Sequence, residues 1–283
     1  MKTTSMDAEL PITRQRAKRA YFNTWHLHSG YVYPTITALI LAAIWEIGVS
    51  AAHIGQWLLP KPSDIFIACF TKAGVLLPAS LVTIQEILLG FSLAIVVGLA
   101  IAMLIVAHTV VEKCFYPLLI ATQVVPKVAI APVLTVWLGY GLAPKIMVTF
   151  LIAFFPIVIN SIVGFRSVTP GKLYLAQTMG ASGWQIFLKI RMPTALPSIL
   201  AGLKIGSTLA VVGALVGEFI ASDRGLGRVI LLANGDFDTV LVFAAITYLT
   251  LIGVVLFAVI EICELLLIPW HVSRRARLST SSH

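Results

Sequence analysis

The sequence contains few charged side chains. Only 11% of its residues are Asp, Glu, Lys or Arg, whereas an average soluble domain has about a quarter, and 59% are hydrophobic. This composition excludes an ordinary water-soluble domain. The apolar runs 87–106, 146–163 and 240–259 each reach the roughly 18 to 20 residues that cross about 30 Å of hydrocarbon as a helix. They predict membrane-spanning helices, and because they do not alternate in polarity they exclude a transmembrane β-barrel.

Motifs for covalent chemistry are also missing. The three cysteines, Cys69, Cys114 and Cys263, have no CxxC or Cys/His spacing, so they predict neither a zinc nor a redox site. His108 and His271 stand alone, without an HExxH or a Ser/His/Asp elbow. No GxxxxGK[ST] phosphate loop occurs, so ATP hydrolysis would need a partner subunit. We expect no catalytic residue, no cofactor and no metal site.

The apolar pattern predicts an all-α membrane protein with about six spans, at 33–52, 81–107, 118–138, 143–165, 195–220 and 240–267. An even number of spans places both termini on the same side of the membrane. Most basic residues then fall on one side, which the positive-inside rule makes the cytoplasm. These are Lys2, Arg14, Arg16, Lys18, Arg19, Lys113, Arg166, Lys172, Lys189, Arg191, Arg274, Arg275 and Arg277, against Lys61, Lys72, Lys145, Arg224 and Arg228 outside.

The predicted organisation has three parts. Residues 1–32 form a basic cytoplasmic tail, because they lack the apolar core and cleavage site of a signal peptide. Residues 33–270 form the transmembrane domain, which includes a cytoplasmic loop at 166–193, and residues 271–283 form a second cytoplasmic tail. The net charge of +8 therefore indicates membrane orientation rather than nucleic-acid binding.

The third span is interrupted by Pro117, Pro126 and Pro132. Broken helices persist in membranes where protein or a cavity satisfies their backbone, so we expect this span beside a pathway. Lys127 lies in it close to Gln123, and both are candidate substrate-path residues.

An ionisable residue within a span costs about 2.5 to 3.5 kcal/mol on insertion scales and is a functional candidate by default. For Lys127 the alternatives are a lysine that extends to the interface or one paired with Glu86. For Glu46, Glu261 and Glu264, which lie nearer the span ends, we expect structural roles, either at an interface or in pairs with nearby basic residues. Lys204 lies close enough to the cytoplasmic end for its side chain to extend to the interface. Further substrate-path candidates within the spans are Asn160, Ser207, Thr208 and Glu218.

Small residues recur at helical spacing in two of the spans. Such faces let helix backbones approach closely, which is how membrane helices pack without a hydrophobic driving force between them. Packing within one subunit and a dimer interface are both open. The residues are Gly90, Ala94, Gly98 and Ala102 in the second span, and the pairs Gly202/Gly206 and Gly213/Gly217 in the fifth.

The loop 166–193 predicts two short helices. Thr169 can cap the first, with Pro170 at its first position, and Gly180 can end it in a left-handed conformation. Ser182 and Gln185 form an S-x-x-Q capping box for the second, and Met192-Pro193 is expected to stop it.

Isolated helices shorter than about twelve residues are marginal in water, so this pair must dock on a surface. The candidate docking residues are Leu173, Trp184, Ile186 and Phe187, although packing on the ends of the chain's own spans is the alternative.

This loop resembles the EAA loop of binding-protein-dependent ABC importer permeases. Gly180 is followed after nine residues by Ile190 and then by Met192-Pro193 where the family has Leu-Pro. The Glu-Ala-Ala positions hold Tyr174, Leu175 and Ala176, so only the last alanine is kept. The resemblance extends to LLPKPS at 58–63, VPK at 125–127, GLG at 225–227 and LIPW at 267–270, and it is closest to the nitrate, sulfonate and taurine-type permeases. Permeases for thiamine-precursor pyrimidines, riboflavin-like compounds and aromatic acids look similar.

The resemblance implies the type I importer fold in the cell inner membrane. It implies a homodimer of the permease, two cytoplasmic ATPases and an extracytoplasmic solute-binding protein. Transport of a nitrate-, sulfonate- or taurine-like anion, or of a small aromatic or heterocyclic compound, would follow by alternating access. The residues that would couple to the ATPase are Ala176, Gly180, Ser182, Trp184, Gln185, Ile190 and Pro193.

An ion-coupled secondary transporter is the alternative. Such proteins carry inverted repeats with paired broken helices, and this sequence has one clearly broken segment. The capped cytoplasmic loop favours the ABC permease.

Overall fold

A computed structural model describes the backbone of residues 12–268, with side chains from residue 32 onwards except that of Thr109. This part of the chain is helical and contains no strand. Its α-helices are α1 (Ile12–Ala51), α2 (Pro62–Thr71), α3 (Ala73–Ala107), α4 (Thr109–Gln123), α5 (Ala131–Leu138), α6 (Leu142–Arg166), α7 (Pro170–Thr178), α8 (Gly183–Ile186), α9 (Met192–Ala221), α10 (Leu226–Gly235) and α11 (Thr239–Leu267).

The chain divides into two compact units, one that contains α1 and one that runs from Gly55 to Pro269. In the first unit the apolar segment Val32–Ala51 is long enough to cross a membrane, and α1 continues on its N-terminal side as far as Ile12. Residues 12–31 of the predicted tail are therefore helical. The rest of that tail and the predicted C-terminal tail lie outside the described residues.

The second unit has four further helices of spanning length, Ala73–Ala107, Leu142–Arg166, Gly183–Ala221 and Thr239–Leu267. The third predicted span is a bent pair, in which Val110–Gln123 and Lys127–Leu138 meet at 88°. The prediction of an all-α protein with about six spans is confirmed. The prediction that prolines break the third span is also confirmed, since the bend includes Pro126 and is followed by a 3₁₀ turn at Lys127–Ile130.

The centre of this unit is α6, which packs between α3 and α9. Gly90 and Gly98 of α3 lie on Thr149 and Ile157 of α6, so α3 and α6 run parallel. A Cβ atom added at Gly90 would come within 2.5 Å of Thr149 Cβ, so the two backbones meet with no room for a methyl group.

Helices α9 and α6 pack against each other in antiparallel orientation. Gly213 approaches Thr149, Gly206 approaches Ile157, and Gly217 approaches Lys145. A Cβ atom at Gly213 would lie 2.7 Å from Thr149 Cα. Both small-residue faces therefore pack within one subunit, which decides between the two alternatives that the sequence left open.

Two short apolar helices, α2 and α10, lie at the end of the bundle where α3 and α6 begin and α9 ends. With ten residues each they rise about 15 Å, half of a hydrocarbon core. Leu226 and Ile230 of α10 share a buried cluster with Leu76 of α3 and Leu249 of α11. We call this the α10 end, and the opposite end, which carries α7 and α8, the loop end.

Candidate functional site

The end of α7 forms a complete Schellman motif. Gly180 has a φ of +78°, and its N–H donates to Gln177 O at 2.9 Å. The N–H of Ala181 donates to Ala176 O at 3.0 Å, which satisfies a second carbonyl of the last turn. The predicted left-handed end at Gly180 is confirmed. At the other end Thr169 occupies the N-cap position with Pro170 next to it, but its side chain makes no capping hydrogen bond.

The capping box of α8 is present as predicted. Ser182 N–H donates to Gln185 Oε1 at 2.9 Å, and Gln185 N–H donates to Ser182 Oγ at 3.3 Å. The prediction that Met192-Pro193 stops the helix is wrong. A π-helical turn at Phe187–Arg191 leads directly into α9, and the wider turn accommodates the missing N–H of Pro193, so α8 and α9 form one continuous helical segment from Gly183 to Ala221.

The apolar surface of this loop differs from the predicted one. Trp184 is exposed, at 68%, but Ile186 is buried and Phe187 packs on Phe165 of α6, with ring centroids 5.7 Å apart. Leu173 is half-buried. We use the name loop patch for the four most exposed apolar side chains of this loop, Tyr174, Leu175, Met179 and Trp184, while Leu188 is 46% exposed.

The predicted coupling residues divide into two groups. Gly180, Ser182 and Gln185 are exposed beside Trp184, whereas Ala176 is buried and both Ile190 and Pro193 are half-buried. The residues of the second group therefore pack beneath the loop instead of lying on its exposed surface. At the same end, an ion pair joins Arg166 of α6 to Glu112 of α4, which fixes the start of α4 to the helix that leads into the loop.

Lys127 lies at the 88° bend and is half-buried. Its Nζ donates to Gln123 O at 3.2 Å and stands 4.6 Å from the centre of the Phe155 ring of α6. The alternative pairing with Glu86 is wrong, since Glu86 pairs with Lys145. The bend thus brings together Lys127, Gln123 and an aromatic face.

The other substrate-path candidates do not join this group. Asn160 donates to Pro156 O at 2.8 Å and Ser207 to Lys204 O at 2.8 Å, so each bonds to its own helix. Asn160 packs against Gly202 in the contact between α6 and α9. Thr208 bonds to Ile205 O and lines an apolar groove of about 450 Å³ between α9 and α11.

Glu218 is completely buried in a polar cluster at the α10 end. Thr83 Oγ1 donates to Glu218 Oε1 at 2.6 Å, and the N–H of Gly227 donates to Glu218 Oε2. Beside it, Lys145 forms an ion pair with Glu86 and donates to Ser222 Oγ at 2.9 Å.

Sequence reasoning missed most of this cluster. It counted Lys145 among the basic residues on the outer side of the membrane, yet Lys145 is 4% exposed, and Thr83 and Glu86 are completely buried. The pairing follows from the register of α3 against α6, which the structure shows. Gly90 lies on Thr149 and Gly98 on Ile157, a constant offset of 59 positions, and the same offset pairs Glu86 with Lys145.

Two further ion pairs also lie nearer the surface than the Lys145–Glu86 pair. Lys204 pairs with Glu264 at 2.5 Å, which is one of the two structural roles expected for Glu264. Lys72, between α2 and α3, pairs with Asp238, whose Oδ1 also accepts from Leu241 N–H at 3.1 Å as the N-cap of α11. Partial burial raises the pKa of Asp238. Lys72 lowers it through its hydrogen bond and its positive charge, and the N–H of Leu241 lowers it through a second hydrogen bond. Together these two groups outweigh burial, so the pKa lies below its ordinary value.

Comparison with known proteins gives a consistent result. Residues 94–267 match the family described as binding-protein-dependent transport system inner membrane component. The chain is 40% identical over 242 residues to the formylaminopyrimidine transport permease protein ThiX of Halalkalibacterium halodurans, which covers 84% of this chain and 95% of that protein. It is 36% identical to the riboflavin transport system permease protein RibX of Chloroflexus aurantiacus, over 84% of this chain and 90% of that protein.

A more distant relative is the taurine transport system permease protein TauC of Escherichia coli, 27% identical over 87% of this chain and 92% of that protein. Among solved structures, the MetNI methionine ABC transporter in an inward-facing conformation matches with a TM-score of 0.55 and 19% identity, over 68% of this chain and 97% of that chain. That likeness concerns the fold. The matches agree with the five spanning helices, the bent third span, and the loop between α6 and α9, where a Schellman motif ends α7 and a capping box begins α8. The chain is therefore a multi-pass membrane protein that belongs to the binding-protein-dependent ABC importer permease family, whose members are subunits without their own ATPase site.

Proposed function

We propose that two copies of this chain form the transmembrane pathway of an ATP-driven importer, with two cytoplasmic ATPase subunits and an extracytoplasmic solute-binding protein. The termini and the loop end face the cytoplasm of a bacterial inner membrane. The observation that carries the proposal is the loop patch. Four large apolar side chains stand exposed on a loop whose turn and helix start are both fixed by hydrogen bonds.

An exposed apolar surface on a rigid segment is typical of a protein interaction site. Basic residues accompany the patch at Lys172, Lys189 and Arg191. We assign this surface to the groove of an ATPase subunit. Gly180, Ser182 and Gln185 hold the loop in shape, and Trp184 provides the central apolar contact.

The continuous segment from α8 to α9 suggests how force would be transmitted. Movement of the ATPases would displace α8, and because no turn separates α8 from α9, the displacement would pass into the spanning helix. Phe187 on Phe165 would move α6 in the same direction. Rigid-body motion of this kind supports alternating access.

For the solute path we propose the bend of the third span. Lys127 provides a positive charge beside the aromatic ring of Phe155, and the backbone carbonyl of Gln123 accepts a hydrogen bond from it. Such a set suits a planar heterocyclic solute, especially an anionic or electron-rich one, since it offers stacking and charge together. Two relatives above 30% identity are named for a formylaminopyrimidine and for riboflavin, which supports a heterocycle over a sulfonate.

The chain and its ATPase and binding-protein partners, reconstituted in vesicles, provide the test. We expect ATP hydrolysis that the binding protein stimulates, and ATP-dependent accumulation of a radiolabelled pyrimidine or riboflavin in preference to taurine. If the chain alone moved any of these probes along an ion gradient, the secondary transporter would replace this proposal.

A further inference from the structure

Helix α10 begins without a cap of its own. Its N-cap residue is Gly225, which has no side chain and a φ of +107°. The first N–H groups of any helix have no partner within the helix, and leaving them unpaired in a buried site costs free energy. Leu226 and Gly227, which carry the first two of these groups in α10, are both buried.

Two side chains from other helices supply the missing acceptors. Leu226 N–H donates to Thr83 Oγ1 of α3 at 2.9 Å, and Gly227 N–H donates to Glu218 Oε2 of α9. Thr83 has one hydroxyl proton, and its 2.6 Å contact with Glu218 Oε1 is much shorter than its 3.2 Å contact with Ala79 O. The Thr83 hydroxyl therefore donates its hydrogen bond to Glu218 while it accepts one from Leu226 N–H, so both capping hydrogen bonds of α10 lead to the same carboxylate.

Each oxygen of Glu218 therefore accepts one hydrogen bond, Oε1 from the hydroxyl of Thr83 and Oε2 from the N–H of Gly227. Beside Glu218, Lys145 forms an ion pair with Glu86. Lys145 also holds Ser222, whose hydroxyl accepts from Arg224 N–H at 3.1 Å in the turn before α10.

Glu218 packs so closely against the start of α10 that positions 225 and 227 must be glycine. A Cβ atom at Gly227 would lie 2.8 Å from Glu218 Cβ, and one at Gly225 would collide with the carboxylate. The turn before α10 therefore fits against Glu218 and admits no side chain there.

We propose that Glu218 and Thr83 are positioning residues for transport, which together cap α10 from outside and fix it to the core of α3, α6 and α9. This inference rests on the proposed function. Held in this way, α10 moves with the core during the transport cycle and keeps the α10 end closed around the pathway. A helix of ten residues cannot span the membrane, so its position depends on its contacts with neighbouring helices, to which the cap adds hydrogen bonds beside the apolar packing of Leu226 and Ile230.

The test is hydrogen–deuterium exchange of the reconstituted complex, with ATP hydrolysis measured on the same samples. Thr83→Val keeps the side-chain volume and removes the hydroxyl, and Glu218→Gln keeps the shape and removes one acceptor. In each we expect the amides of residues 226–235 to exchange about tenfold faster, since losing a helix cap has an effect of this size. Exchange in α6 and the amount of bound ATPase should stay unchanged, while stimulation of ATP hydrolysis by the purified binding protein falls.

Matched variants serve as controls. Thr83→Ser retains the hydroxyl and should behave as wild type. Thr149→Val makes the same change at another buried threonine, whose hydroxyl bonds only to Lys145 O of its own helix, and should leave α10 exchange unchanged. Glu112→Gln, at the loop end, controls for the loss of a carboxylate.

Three results would overturn the inference: unchanged α10 exchange in both Thr83→Val and Glu218→Gln, an equal rise throughout α6, or faster α10 exchange with full stimulation. Failure of the proposed function is a separate observation. In that case the wild-type complex would hydrolyse no ATP in response to the binding protein, whereas exchange at α10 would still report on the cap.

Discussion

Glu86 on α3 and Lys145 on α6 form an ion pair whose side chains are 0% and 5% exposed. Removing one partner from such a pair leaves a charge without compensation in a dry site, which typically costs about 3 to 5 kcal/mol. Lys145→Met should therefore lower the thermal stability of the detergent-solubilised protein substantially.

The double variant Glu86→Gln/Lys145→Met should recover much of that loss, because neither charge is then buried alone. Melting curves followed by size-exclusion chromatography measure the difference. A double variant no more stable than the single one would contradict the compensation that we infer.

Trp184→Asp should reduce co-purification of the ATPase subunit, since it puts a charge into the apolar loop patch. Trp57→Asp is the matched control, because Trp57 is similarly exposed, at 65% against 68%, but precedes α2 far from the loop in the fold. Pull-down at equal membrane expression measures the effect. Equal ATPase recovery in the two variants would remove the docking role from Trp184.

Gly180→Ala should destabilise the turn between α7 and α8 by about 1 kcal/mol, because a residue with a Cβ is strained at a φ of +78°. Gly183→Ala is the control three residues away, where an added Cβ has no neighbour within 4 Å and φ is not left-handed. Exchange of the amides of residues 170–186 reports the difference. Faster exchange for Gly183→Ala than for Gly180→Ala would be inconsistent with the Schellman motif.

Lys127→Met should lower ATP-dependent solute accumulation while the stimulation of ATP hydrolysis survives. The methionine keeps the long apolar stem against Phe155 and removes only the ammonium. Lys113→Met, at an exposed position of α4, controls for the loss of a positive charge. Accumulation that falls equally in both variants would argue against a specific place for Lys127 in the path.

Asp238→Asn should be less stable than wild type at neutral pH and equal to it in acid. The pKa of Asp238 is lower in the folded protein than in the unfolded chain. Its stabilising contribution is therefore present above the unfolded pKa of about 4 and is lost as the pH falls through the folded value. Asparagine is an equally good N-cap, so the comparison isolates the charge that faces Lys72. Melting temperatures of both proteins from pH 7 to pH 3 test this, and a difference independent of pH would refute it.

Most of the fold was readable from local patterns. Apolar length predicted the spans, the prolines predicted the broken third span, and the spacing of Gly90 and Gly98 predicted a packing face. The S-x-x-Q pattern predicted the cap of α8 because a capping box depends only on residues within one turn.

Tertiary relationships were harder to predict. Lys145 stands near the start of α6, where a lysine usually reaches water, and only the register of α6 against α3 places it beside Glu86. The cap of α10 joins Thr83 to Leu226 across 143 positions of the chain, and no local pattern encodes it. The prediction that Pro193 ends the helix was wrong because it assumed α-helical hydrogen bonding before the proline. The chain forms a π-helical turn there instead.

The contacts of the glycine faces also limit how this protein can be engineered. Replacing a helical glycine by alanine ordinarily stabilises a helix by roughly 0.5 to 1 kcal/mol. At Gly90 and Gly213 the new methyl group would push α6 away from its neighbours, so the gain in helix propensity is lost to misfit. Gly48 has open space and Gly253 meets only Val211 at an ordinary 3.5 Å. Attempts to raise the thermal stability of this protein for crystallisation should therefore start with Gly48→Ala and Gly253→Ala, because neither glycine lies in a close contact between two helix backbones.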